Sequence, residues 1–135
     1  MDPIRIFPII SWILLPTVMY GGYSPLGLTV KKNPFLTDFR EKYFRAGHAH
    51  AGVLLVMSLV YYVFLGQTTF PAGFKLLLCI VLLVGILAQS GGFFLHMMVG
   101  QPERSSTGTL ITTLGAVMLV FSTLFLAYGL AAAHI

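Results

Sequence analysis

Residues 74–99 read FKLLLCIVLLVGILAQSGGFFLHMMV and hold one charged side chain, Lys75, at the very start. A run of this length and polarity is what a helix needs to cross the roughly 30 Å hydrocarbon core of a bilayer. Working outward, three more apolar runs of similar kind appear, at about residues 4–20, 44–65 and 107–133. The whole chain is 57% hydrophobic and 9% charged, against roughly 25% charged for an ordinary soluble domain. The expectation is an all-α, integral membrane four-helix bundle, one four-span domain over 1–135, with the lipid bilayer as its main surroundings.

Breaks between the runs carry turn chemistry. Gly21-Gly22-Tyr23-Ser24-Pro25 is expected to end the first span, and Asn33-Pro34 lies in the longest loop, residues 29–43. Gln67 to Gly73 joins the second and third spans, and Gln101-Pro102-Glu103-Arg104-Ser105 joins the third and fourth. The N-terminus lacks a small-x-small cleavage pattern and reads as a retained span rather than a signal peptide. Six of the eight Lys and Arg residues, at positions 31, 32, 40, 42, 45 and 104, fall on one face of this topology. The positive-inside rule then turns that face to the cytoplasm and both termini outward, in a plasma or inner membrane. The same topology accounts for the net charge of +4, so nucleic acid is not an expected partner.

Three imidazoles stand inside these apolar runs: His48 and His50 early in the second span and His96 late in the third. Ionisable groups at such positions mark ligand or cofactor sites by default. Antiparallel packing of the two spans brings His48 and His96 to similar depth, with an offset of about 6 Å by residue counting. His48 and His50, two residues apart, project about 200° apart around the helix axis and serve different sides. His48 shares its face with Ala51, Gly52 and Leu55. His50 shares its face with Tyr43, Met57 and Tyr61. On the third span Gly85, Gln89, Gly92 and His96 fall on one narrow stripe, which also suits close helix packing. Thr109, Thr112, Thr113, Ala116, Thr123 and Ala127 make a comparable packing seam on the fourth. His134, at the chain end, is expected to be exposed and uninvolved.

Imidazole suits iron, copper and zinc, and no Asp or Glu lies in a span to hold a hard cation. The lone cysteine, Cys79, rules out both an intrachain disulfide and a Cys-x-x-Cys-His haem attachment. A non-covalent haem b held by His48, His50 or His96, at most two per iron, is the leading expectation. Arg45, one turn before His48, and Arg104, in the adjacent loop, are placed to meet its carboxylates.

The segment Arg45-Ala-Gly-His48-Ala-His50-Ala-Gly-Val-Leu54 resembles the His-x-His helix of the haem-copper oxidase and nitric oxide reductase catalytic subunit. The resemblance covers about ten residues. It implies that the two histidines face two different haems on opposite sides of their helix. That family arranges its helices as three arcs of four, so the resemblance also implies a homo-oligomer, a trimer, with haem shared between neighbouring copies. The third span has no adjacent histidine pair, and a copper-centred oxygen-reducing site is not implied.

Three classes of function fit these residues. A haem b protein would carry electrons, or bind or reduce oxygen or nitric oxide as a possible oxidoreductase, according to whether both axial positions are filled. A copper or zinc carrier would add Met57, Met97 or Met98 as soft ligands. A cofactor-free accessory subunit of a respiratory complex would use the histidines only as hydrogen-bonding cross-links.

Overall fold

The computed structural model describes residues 2–31 and 33–134, with the side chains of Ser24 and His134 excepted. The expectation that His134 is exposed therefore lies outside the described residues. Four helices follow in order: α1 (Pro3–Val30), α2 (Asp38–Gly66), α3 (Ala72–Val99) and α4 (Thr107–His134). All four are long and apolar enough to cross a membrane, and the chain is an integral membrane four-helix bundle.

Local chemistry sets the helix ends. The Asp2 carboxylate accepts the Ile4 N–H at 3.2 Å, and Pro3 occupies the first turn, where a missing N–H costs nothing. Thr37 caps α2 by accepting the Arg40 N–H, and Asp38 and Glu41 place negative charge at the positive end of the helix dipole. Before α4, the Ser106 Oγ accepts the Gly108 N–H at 3.0 Å while Thr109 Oγ1 accepts the Ser106 N–H at 2.8 Å. That is a reciprocal cap of the capping-box kind. Lys75, the one charge in α3, donates from Nζ to the Thr68 carbonyl at 2.8 Å and so ties the α2–α3 turn together.

The first helix corrects one expectation. Gly21 to Pro25 does not break it; α1 runs on to Val30 with Pro8, Pro16 and Pro25 inside. In lipid no water is available for freed backbone groups, so a continuous helix that forfeits a hydrogen bond at each proline is favoured over an unwound segment. The α1–α2 connection is correspondingly shorter than the 29–43 loop expected, since α2 already starts at Asp38.

The helices form a curved row. α2 and α3 are central, α1 lies on α2, and α4 lies on α3 in the most extensive contact of the bundle. Among the described residues α1 and α4 do not meet. The core joins Leu55, Tyr62 and Leu65 of α2 to Leu78, Leu82 and Ile86 of α3. Outward faces carry large apolar side chains such as Trp12, Ile13, Val117 and Leu124, which lipid solvates where water would not.

The α3–α4 contact rests on glycine. A Cβ at Gly108 would sit 2.3 Å from the His96 backbone nitrogen, and one at Gly115 would sit 2.3 Å from that of Gln89. Gly92 meets Thr112 and Gly108 at similar range. The stripe Gly85, Gln89, Gly92, His96 is thus the surface on which α4 packs, the small-residue approach expected of helices in lipid.

Candidate functional site: the imidazoles of α2

His48 and His50 lie about 15 and 18 Å along α2 from its first residue, at 1.5 Å per residue. Gly47 and Ala51, which precede His48 and follow His50 and fall between the two rings around the helix axis, are buried against the bundle. The two rings therefore flank the buried face of α2, one on the side of α1 and the other on the side of α3.

On the α1 side, the His48 ring stacks on Phe44, with centroids 5.8 Å apart and planes 12° from parallel. Gly22 of α1 cradles it: a Cβ there would fall 2.7 Å from His48 Nε2. Among the described residues neither ring nitrogen of His48 has a hydrogen-bond partner. The ring lines a cleft of about 330 Å³ between α1 and α2, together with Arg45, Glu41, Thr29 and Leu26. Arg45 is paired with Glu41 one turn back, and its side chain is 77% exposed.

On the other side, His50 is half-buried and tilts against Phe93 of α3, with ring centroids 4.9 Å apart. Its Nδ1 donates to the Ala46 carbonyl oxygen at 2.7 Å. A carbonyl only accepts, so the ring proton sits on Nδ1, and the neutral ring keeps its lone pair on Nε2. Leu54, Met57 and Tyr61 continue the face of His50 at i+4, i+7 and i+11. Those three line a second cleft of about 330 Å³, between α2 and α4, closed on the far side by Leu119 and Thr123.

His96 is placed differently. Its ring is 2% exposed, enclosed by Tyr43 at 4.3 Å and Phe39 at 5.4 Å between centroids. A 2.7 Å hydrogen bond joins His96 Nδ1 to the Ser106 Oγ that caps α4. It stands level with Tyr43, about 7 Å along the axis from His48. The axial offset agrees with residue counting, but the three imidazoles do not face one common space. Arg104 is exposed in the α3–α4 loop, where its backbone N–H closes a turn onto Gln101. Among the described residues no group of three or more His, Cys, Asp or Glu side chains is assembled to hold a metal ion.

No family model, curated protein or solved structure matches the chain. The site therefore has to be read from its own chemistry.

An iron porphyrin needs an imidazole with a free nitrogen, apolar walls and cations for its carboxylates. His50 meets the first need, with Nδ1 held as a ligating ring usually is, and the apolar walls of the α2–α4 cleft begin one turn further on, at Leu54. Arg45 meets the third on the α1 side. His48 Nε2 is turned to the backbone of Gly22, so coordination through that atom requires α1 to give way. His50 needs no such movement.

Several contributors lie beyond reach of a reading by sequence. Gly22 and Phe93 are partners of the two rings only because of how α1 and α3 rotate about their axes. Ser106 was findable: it stands ten residues after His96, just before an apolar run, where a helix cap belongs.

Proposed function

We propose that this chain is a haem b-binding membrane protein in which His50 is the first axial ligand and His48 serves a second site on the opposite flank of α2. The observation that carries the reading is the His50 ring: Nδ1 is held by the Ala46 carbonyl and Nε2 has no hydrogen-bond partner among the described residues, one turn before Leu54, where an apolar cleft begins. When bound, haem b would supply one-electron chemistry or an open iron position for oxygen or nitric oxide. The residues of this chain would orient the His50 ring and wall off water, and on the opposite flank Arg45, beside His48, would lend its guanidinium to a carboxylate of a group held there. A neighbouring copy would supply the second axial ligand in a homo-oligomer, a trimer by the resemblance of the His-x-His segment. The unpartnered flanks of α1 and α4 leave room for such neighbours. We place the protein in the plasma or inner membrane with both termini outside, on the distribution of Lys and Arg.

The test is an absorption spectrum of the detergent-purified full chain from haem-replete cells, oxidised, reduced, and reduced with carbon monoxide. A Soret band is expected. A colourless preparation with no iron would overturn the proposal. A second reading, a copper or zinc site, is favoured by the same His50 Nε2, which has no hydrogen-bond partner among the described residues and suits either metal. Stoichiometric copper or zinc without iron by elemental analysis would select it.

A further inference from the structure

The end of the bundle opposite the imidazoles holds another cleft, of about 410 Å³, between the first turns of α1 and the last turns of α2. Pro8 and Trp12 form one wall, Leu59 and Val63 the other, and Asp2 and Arg5 stand at the rim. The cleft changes character with depth. With α1 centred in the bilayer and a rise of 1.5 Å per residue, Asp2 and Arg5 lie about 22 and 17 Å from the midplane, and Pro8 and Trp12 about 13 and 7 Å. The edge of the hydrocarbon, about 15 Å from the midplane, falls between the charged pair and the apolar walls. Below that edge the lining offers one polar side-chain group among the described residues, the Trp12 indole N–H. Tyr62 also lines the cleft, but its phenol oxygen is enclosed and lies towards Ser11 and Ser58.

The rim carries one charge of each sign. Asp2 Oδ1 accepts the Ile4 N–H, and Oδ2 lies 3.6 Å from Arg5 Nε. The two side chains are 44% and 86% exposed, so each keeps room for a further partner, Arg5 through its terminal amino groups and Asp2 through Oδ2. A purely anionic ligand would meet the Asp2 carboxylate beside the guanidinium, and a purely cationic one the reverse. A ligand that carries both signs close together, with apolar chains below them, matches both halves of the cleft.

We propose that this cleft binds phosphatidylethanolamine, with the phosphate on the Arg5 guanidinium, the ammonium on the Asp2 carboxylate and one acyl chain along Trp12, Leu59 and Val63. The ammonium of ethanolamine donates hydrogen bonds and the trimethylated ammonium of phosphatidylcholine does not, so Asp2 distinguishes the two. Phosphatidylglycerol offers the same phosphate with no cation for Asp2. The indole N–H meets the ester carbonyls, which lie between phosphate and chain, since helix side chains lean towards the N-terminus and here towards the rim. The site is separate from the imidazoles. It holds whether or not the chain binds haem, and whichever end of the bundle faces the cytoplasm.

Trp12 is the single tryptophan of the chain and lines the cleft, so its fluorescence reports which lipid is there. Full-length protein is placed in phosphatidylcholine nanodiscs in which a rising fraction of the lipid is chain-brominated phosphatidylethanolamine, phosphatidylcholine or phosphatidylglycerol. Bromines quench the indole on contact. Half-maximal quenching by the ethanolamine lipid is expected at about a fivefold lower fraction than by the other two, the upper end of what a charge pair at an exposed rim supplies. Asp2→Asn keeps a cap for α1 and is expected to bring the ethanolamine lipid to the level of the choline lipid. Val63→Phe, at an exposed wall position outside the core, fills the cleft and is expected to remove the preference without disturbing the fold. Equal quenching by all three lipids in wild type overturns the proposal, as does a preference for phosphatidylglycerol, which would make the rim a site for anions alone. A preference that survives either substitution unchanged also overturns it, by placing the lipid elsewhere on α1.

Discussion

The Nδ1 of His50 lies 2.7 Å from the carbonyl oxygen of Ala46, one turn back on α2. This bond fixes the tautomer, fixes the ring plane and leaves Nε2 as the only free ring nitrogen. Under the proposed function such a ring would take iron without first breaking another contact. His50→Ala is expected to lower haem content at least tenfold, and His50→Gly to regain its Soret band when imidazole is added from solution. His48→Ala is expected to have a smaller effect, because His48 Nε2 faces Gly22. Unchanged spectra in both variants would remove α2 from the site.

The glycine seam between α3 and α4 gives a contrast within one residue type. At Gly108 and Gly115 an added methyl meets backbone atoms at 2.3 Å, and backbone cannot rotate away. Gly108→Ala and Gly115→Ala should each destabilise the bundle by roughly 1–3 kcal/mol, the range seen for overpacking. Gly21 and Gly91 have nothing within 4 Å of the same methyl. Alanine there should be neutral or stabilising by up to about 1 kcal/mol, since it restricts the unfolded chain. Unfolding in mixed micelles, followed by helical circular dichroism, separates the two pairs. Equal effects would mean that α3 and α4 do not pack on these glycines.

Ser106 both caps α4 and holds the His96 ring. Ser106→Ala removes the two interactions together and is expected to cost about 1–3 kcal/mol by the same measurement. His96→Gln keeps a polar side chain at that place and should lose less stability than His96→Ala. If His96 acts only in packing, the absorption spectrum of His96→Gln stays as in wild type. A lost Soret band in that variant would return His96 to the ligand set.

Much of the fold was legible because lipid enforces length and polarity on any crossing segment, and the four apolar runs obey that constraint. The end of the first helix was not. Gly21 to Pro25 breaks helices in water, but with water excluded the same residues continue α1 to Val30. The opposed directions of His48 and His50 follow from 3.6-residue periodicity alone. What each ring meets does not, since Gly22 and Phe93 depend on rotations of α1 and α3 that no local pattern encodes. The stripe ending in His96 shows the same limit: its small residues were visible, and its partner, α4, becomes evident only from the packing of Gly108 and Gly115.

The orientation proposed from charge can be measured, and the chain carries its own control for it. Lys31, Arg40, Lys42, Arg45 and Arg104 lie at the end of the bundle where α2 and α4 begin, while Arg5 and Lys75 lie at the other. In the proposed orientation this bias puts the former end in the cytoplasm. Cys79 is 0% exposed, so a membrane-impermeant maleimide should leave the wild-type chain unlabelled in intact cells and in opened membranes alike. Against that silent background, Glu103→Cys in the α3–α4 loop is expected to label only after the cells are opened, and Thr69→Cys in the α2–α3 turn to label in intact cells. The reverse pattern would invert the topology and turn the ends of α2 and α4 that carry the imidazoles and Arg104 outward.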